Sequence, residues 1–118
     1  MSKKKTKKEH TPSWYRKKCV ERAKKLAKER DNYQCQWCGR KDGKMDGSHV
    51  FPEGKHNGMS AMVDNIKALC FQCHSRWHES PLEAYSFFKN KFPERYKKLK
   101  KLSLKPIKVD WKKEYEDK

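Results

Sequence analysis

The sequence has few apolar residues and no long run of them. Hydrophobic residues are 34% of the 118 positions, whereas charged residues are 39%. A helix that spans a membrane needs about 20 consecutive apolar residues, so the sequence predicts no such helix. The basic opening Met1–Lys5 is followed by no apolar run. We therefore expect no secretory leader, no membrane partner, and a soluble, intracellular protein.

Acidic residues are also scarce. The chain has 15 Asp and Glu against 31 Lys and Arg, a formal net charge of +16. This excess predicts a polyanionic partner, because binding a phosphate backbone releases its counterions. Residues 1–10 form a lysine-rich arm without apolar periodicity, which we expect to be disordered until it meets an anion. The arm could contact DNA directly, or it could serve only for solubility or localisation.

The remaining chain predicts one domain over residues 11–105 and a C-terminal tail over 106–118. Thr11 and Pro12 are typical of a helix start, and an apolar stripe that includes Cys19 then predicts a helix over residues 12–30. We expect Cys19 to be a buried packing residue with no chemical role. A second stripe, aromatic and at helical spacing, predicts two short helices or one kinked helix packed against the first; its members are Tyr85, Phe88, Phe92, Tyr96 and Leu99.

Between these segments the sequence predicts strand, loop, strand and helix. The best strand candidates are Met45–Phe51 and Met62–Leu69, separated by residues typical of turns. A helix is expected to begin near Cys73 and to run to about Glu79, and Pro81 interrupts or restarts it. Short elements and a thin apolar core indicate that something besides burial stabilises the domain.

Cysteine is the evident stabilising element. Two Cys-x-x-Cys pairs, Cys35/Cys38 and Cys70/Cys73, account for four of the five cysteines. Two such pairs can supply the tetrahedral thiolate shell that structural Zn²⁺ prefers, and two disulfides are the alternative that an intracellular setting disfavours. A Cys₄ zinc site has no open coordination position, so we expect it to hold the fold and any catalysis to occur elsewhere.

Groups suited to phosphodiester hydrolysis lie between and just after the two pairs. They are Ser48-His49, Asp64-Asn65, and the pair His74 and His78. Residues four apart share one face of a helix, so His74 and His78 can present two imidazoles to one divalent ion. Taken alone, this pair could equally contribute to the zinc shell or be solvated.

The order of His49, Asn65 and His74 along the chain resembles the pattern of the HNH nucleases. His78 resembles the second helix histidine of the colicin-type members of that family. The resemblance covers residues 31–79 and implies a small α+β fold. That fold is a ββα-metal motif stapled by a Cys₄ zinc site, flanked by an N-terminal helix and C-terminal helices. Gly47-Ser48-His49-Val50, Gly54 and Asp64-Asn65 are most similar to phage NinG/Rap-like recombination nucleases, which would place the protein in the cytoplasm of a bacterial host.

The resemblance implies a metal-dependent DNA endonuclease. By this resemblance, His49 would be the general base, Asn65 would orient it, and a divalent ion such as Mg²⁺ or Mn²⁺ on His74 and His78 would stabilise the leaving group. We expect the surrounding basic side chains to hold DNA phosphates: Arg40, Lys44, Lys55, Lys67 and Arg76. Many members carry Asp or His where this chain has Ser48. Two histidines could suffice with phosphate and water, Asp46 or His56 could reach in, or the site could be weak.

Two other functions account for part of these features. A non-catalytic zinc-dependent DNA-binding module explains the charge and the cysteines, but not the order of His49, Asn65, His74 and His78. An RNA-binding basic protein fits the composition, yet proteins that read single strands usually display aromatic residues on a sheet, whereas most here follow helical stripes.

Overall fold

The first helix, α1, spans Pro12–Arg30 in a computed structural model that describes residues 10–117. The Thr11 side chain accepts a hydrogen bond from the backbone N–H of Trp14, and Pro12 takes the first helical position, where a missing N–H has no cost. The helix predicted over residues 12–30 is therefore confirmed. The prediction for the lysine-rich arm falls on residues 1–9, apart from His10, and these lie outside the described residues.

A two-stranded antiparallel sheet forms the centre of the molecule. Strand β1 spans Met45–His49 and strand β2 spans Ile66–Cys70, with Met45 opposite Cys70 and His49 opposite Ile66. All five residues of β2 are buried. Both strands are shorter than predicted, because at Asn65 a side-chain hydrogen bond replaces part of the regular backbone pairing between the strands. The backbone N–H of Phe51 donates to the Asn65 side chain, and Val63–Asn65 forms a 3₁₀ turn.

Three helices follow β2 almost without interruption. Helix α2 spans Phe71–Glu79, α3 spans Pro81–Lys91 and α4 spans Pro93–Ser103. The helix expected near Cys73 begins two residues earlier. The two prolines each start a new helix, so the second aromatic stripe lies on two helices and not on one kinked helix.

The aromatic stripe is part of the main core. Phe88 and Leu99 are fully buried, and they belong to one apolar cluster with Phe51 and Trp77. The prediction that the stripe packs in the interior is confirmed, but the predicted partner was wrong. Helix α1 contacts β1 and β2, and its Ala23 packs in a separate cluster with Ile66.

A last helix, α5, spans Trp111–Asp117 within the segment that we expected to be a tail. It contacts α1, where the ring of Tyr115 lies 5.5 Å from that of Trp14 and 5.6 Å from that of Tyr15. Cys19 faces this junction and is buried, with 2% of its surface exposed, in agreement with the packing role predicted for it. No helix within residues 10–117 is long and apolar enough to cross a membrane.

Candidate active site and metal centre

Four cysteine thiols converge where the turn after α1 meets β2 and α2. Their sulfur atoms all lie within 4.8 Å of one another, and the Sγ atoms of Cys38 and Cys70 are 3.8 Å apart. A tetrahedral ion with metal–sulfur bonds of about 2.3 Å requires sulfur separations of about 3.8 Å. All five cysteines of the chain are free thiols. The disulfide alternative is therefore absent, and the four cysteines are positioned to bind a metal ion.

Local backbone structure shapes this centre. The backbone N–H of Cys35 donates to the carbonyl of Arg40, and Gly39 closes the turn with a φ of +83°, which a glycine adopts readily. Burial raises the pKa of the Cys35 thiol, but hydrogen bonds from the backbone N–H groups of Cys38, Cys70 and Trp37 lower it to about 6. These hydrogen bonds favour the thiolate of Cys35, the form that ligates metals, whereas the pKa of the neighbouring Cys38 and Cys73 thiols is raised.

His49 ends β1 and has a defined tautomer. Its Nε2 lies 2.8 Å from the backbone carbonyl oxygen of Ser60, which can only accept, so Nε2–H donates. The other nitrogen, Nδ1, then carries the lone pair and lies 3.9 Å from Oε2 of Glu53. Only 10% of the His49 side chain is exposed. The neutral ring therefore offers one nitrogen that can accept a proton.

The surroundings of His49 favour the neutral ring. Burial lowers its pKa below the ordinary value of 6.5, and the positive charges of Lys24 and Lys67 lower it further. The Ser60 carbonyl and the Glu53 carboxylate oppose this shift but do not cancel it. At neutral pH the ring is unprotonated, as a general base must be.

His74 and His78 lie one turn apart on α2. Their ring centroids are 5.0 Å apart, and Nδ1 of His74 lies 3.1 Å from Oδ2 of Asp46 on β1. A carboxylate that accepts from Nδ1–H fixes the ring and leaves Nε2 available as a ligand, an arrangement common among metal-binding histidines. Within residues 10–117, only the four cysteines form a group of three or more ligand atoms all within 4.8 Å. The histidine pair thus offers two protein ligands.

A cleft of about 480 Å³ brings the three histidines together. His49, His74 and His78 all line it, together with Lys24 from α1 and Glu53 from the loop after β1. His56, which we considered as a further ligand, lines a separate cavity beside Lys55 and Ile107. Asp46, the other candidate, acts on His74 through the hydrogen bond described above.

Asn65 is fully buried and bridges two segments of the loop between the strands. Its Nδ2 donates to the carbonyls of Phe51 and Met59, both at 3.1 Å, and its Oδ1 accepts from the Phe51 N–H at 2.9 Å. These contacts fix the chain just after His49 and just before Ser60, the partner of the His49 ring. Asn65 thus acts on the backbone around the histidine and makes no hydrogen bond to its ring.

The basic residues predicted to hold DNA differ in exposure and in their ion pairs, and none of them lines the cleft. Lys44 and Lys55 are exposed. Arg40 pairs with Asp42 at 3.0 Å, and Arg76 pairs with Glu83 at 2.9 Å.

The prediction for Lys67 was wrong, because its side chain is fully buried under the sheet. Its Nζ donates to Oγ of Ser48 at 3.2 Å and lies 3.3 Å from the ring centroid of Trp77. Ser48, the departure from the family pattern, is likewise fully buried. Its hydroxyl serves this internal contact, so the side chain does not face the cleft as a ligand.

Sequence reasoning missed Lys24 and Glu53 as residues of the cleft. Glu53 is four positions after His49, a short separation that could have indicated that the two side chains lie near each other. Lys24 is one of many lysines on α1, and no local pattern separates it from the others. Only the packing of α1 against the sheet brings it to the histidines.

Comparison with known proteins agrees with this geometry. The HNH endonuclease family matches residues 35–80, a range that holds the four cysteines and the three histidines of the cleft. The protein Anaredoxin from Nostoc sp. is 34% identical over 62 residues, which are 52% of this chain and 79% of that protein. No solved structure gave a significant match. The chain belongs to the HNH endonuclease family.

Proposed function

We propose that this protein is a metal-dependent DNA endonuclease that hydrolyses phosphodiester bonds in the cleft lined by His49, His74 and His78. The observation that carries the proposal is the convergence of these three histidines. One is held as a neutral base, and two lie adjacent on a helix with one ring oriented by Asp46. The narrower similarity to phage recombination nucleases remains a prediction.

In the proposed reaction, Nδ1 of His49 takes a proton from a water molecule in the cleft. The resulting hydroxide attacks phosphorus, the bond from phosphorus to the 3′ oxygen breaks, and that oxygen takes a proton from solvent. Glu53, 3.9 Å from Nδ1, stabilises the imidazolium that forms. Asn65 keeps the Ser60 carbonyl on Nε2, so that the ring presents the correct nitrogen.

His74 and His78 would hold a divalent ion, Mg²⁺ or Mn²⁺ among the candidates. Two imidazoles on one face of α2 suit a divalent ion that accepts nitrogen ligands, such as Mn²⁺, better than Mg²⁺, which prefers oxygen; the Asp46 carboxylate at Nδ1 of His74 leaves its Nε2 free to bind. When bound, such an ion supplies Lewis-acid stabilisation of negative charge on the phosphate and on the leaving oxygen. Water and substrate phosphate would complete its coordination.

The four cysteines would hold a structural Zn²⁺. Four thiolates at tetrahedral spacing are the usual shell of structural zinc, and the centre ties α2 to β2 and to the turn after α1. This ion would have no open position and would take no part in the chemistry. Its role is to fix the start of the helix that carries His74 and His78.

The test is relaxation of supercoiled plasmid with and without added Mg²⁺ or Mn²⁺. His49→Ala is expected to slow cleavage by about 100-fold to 10,000-fold, the usual cost of losing a general base. His56→Ala is the matched control, because His56 lines a different cavity, and it should cleave like the wild type. His74→Ala and His78→Ala should be inactive and partly rescued by raised Mn²⁺, which should not rescue His49→Ala.

The alternative is a zinc-dependent DNA-binding module without catalysis. It becomes the better description if the wild type binds DNA but never cleaves it with any of the added ions. If the wild type cleaves and His49→Ala cleaves equally fast, the nuclease stands but the assignment of the base is wrong.

A further inference from the structure

The cleft contains one permanent positive charge, and it comes from outside the segment that the family matches. Lys24 on α1 is the only Lys or Arg among the described residues that line it. A phosphodiester that enters the cleft carries a negative charge, and neutral histidines do not compensate it. The basic residues that we first expected to do so lie elsewhere.

The path of the Lys24 side chain is fixed by a glycine. At Gly47 on β1, an added Cβ would lie 2.7 Å from Cγ and 2.8 Å from Cβ of Lys24. These atoms belong to the rigid base of the lysine stem, so a larger residue at position 47 would displace the stem or α1 itself. Glycine at this position thus lets the lysine cross the strand and reach the cleft.

The Lys24 ammonium forms no close ion pair within the described residues. Glu53 also lines the cleft and pairs with Arg16 of α1 at 2.7 Å, and the more distant charge of Lys24 contributes to the lowered pKa of its carboxyl. Across residues 10–117, no carboxylate forms an ion pair with Lys24 within 4.0 Å. The Lys24 ammonium is nevertheless close enough to lower the pKa of His49, an effect that adds to the larger one of burial. A charge beside the base, with no carboxylate within 4.0 Å among the described residues, can form a direct contact with an anionic ligand.

We propose that Lys24 binds the phosphodiester in the cleft through a non-bridging phosphate oxygen, so that α1 forms part of the active site. This inference rests on the proposed nuclease function and adds the residue that holds the reacting phosphate. The ammonium would pair with the phosphate in the bound complex and strengthen its contact as negative charge grows on the phosphate oxygens in the transition state.

The variants are Lys24→Met, Lys24→Arg and Lys25→Met. Methionine keeps much of the stem that crosses Gly47 and removes the charge, whereas arginine keeps the charge. Lys25 is the matched control, because it follows Lys24 on α1, is exposed and does not line the cleft, so its loss changes the net charge equally. Zinc content and thermal unfolding would establish that each variant is folded.

The first measurement needs no cleavage. A DNA dinucleotide with a single phosphodiester is titrated into each zinc-loaded variant, and the imidazole NMR signals of His49, His74 and His78 report binding. We expect affinity at least threefold weaker for Lys24→Met than for Lys25→Met, with Lys24→Arg close to the wild type. Equal affinities in the two methionine variants, or no binding by the wild type, would overturn the proposal.

The second measurement is the single-turnover rate of DNA cleavage at saturating protein. Lys24→Met is expected to be slower by on the order of 10-fold to 100-fold, less than a buried oxyanion donor supplies, because Lys24 is only half-buried. If wild type and Lys25→Met cleave and Lys24→Met matches them, the Lys24 proposal fails and the nuclease stands. If the wild type cleaves nothing, the nuclease fails and the dinucleotide titration alone decides the role of Lys24.

Discussion

Asn65→Ala should destabilise the protein by about 3 to 5 kcal/mol. Within the described residues, Asn65 is the sole hydrogen-bond partner of both the N–H and the carbonyl of Phe51, and both groups are buried with it. The Met59 carbonyl also loses a donor but keeps the N–H of Met62. Each buried group left without a partner costs roughly 1 to 3 kcal/mol, so the two Phe51 groups account for most of the loss.

Urea unfolding of the zinc-loaded protein measures this effect. The midpoint should fall while the slope stays unchanged, since the surface exposed on unfolding is nearly the same. Asn57→Ala is the matched control, because that asparagine is exposed and its side chain makes no described hydrogen bond, and it should cost under about 0.5 kcal/mol. A loss below about 1 kcal/mol in Asn65→Ala would show that the amide does not hold the loop as we argue.

The remaining predictions concern metal, pH and salt. Elemental analysis should find one tightly bound Zn²⁺, and chelation should unfold the chain, because such sites contribute on the order of 10 kcal/mol to folding; a folded, zinc-free protein would contradict this. The lowered pKa of His49 means that the base stays neutral down to below pH 6.5, so cleavage should be flat near pH 7 and fall only on its acid side; a midpoint above pH 6.5 would be inconsistent with this burial. DNA affinity should fall steeply with salt, with a slope of about −0.9 per phosphate contact, and deletion of residues 1–10 should make the slope shallower; an unchanged slope would mean that the arm makes no such contact.

Sequence patterns predicted the elements whose cause is local. The helix from Pro12 follows from a capping threonine and a first-turn proline, and Pro81 and Pro93 mark helix starts for the same reason. The Cys₄ centre was also predictable, because two Cys-x-x-Cys turns each bring a thiol pair together. Strand β1 ends earlier and β2 begins later than predicted, since the side chain of Asn65 takes over a hydrogen bond that the alternation pattern assigns to the backbone.

The failures share a physical cause, which is that they depend on packing between distant segments. Lys67 is of a residue type usual at the surface, yet it lies buried under the sheet, where its Nζ contacts the Ser48 hydroxyl and the Trp77 ring and burial lowers its pKa. Lys24 reaches the cleft only because α1 crosses β1 at Gly47. In each case, neighbours along the chain carry no signal of the contact.

The nine-residue helix α2 carries both Cys73 and the histidine pair, so the metal centre and the cleft share one short element. Isolated helices shorter than about 12 residues are marginal in water, so the cysteine centre at its start is what can keep His74 and His78 in place. Under the proposed function, a newly synthesised chain would be unable to cut DNA until it had acquired zinc.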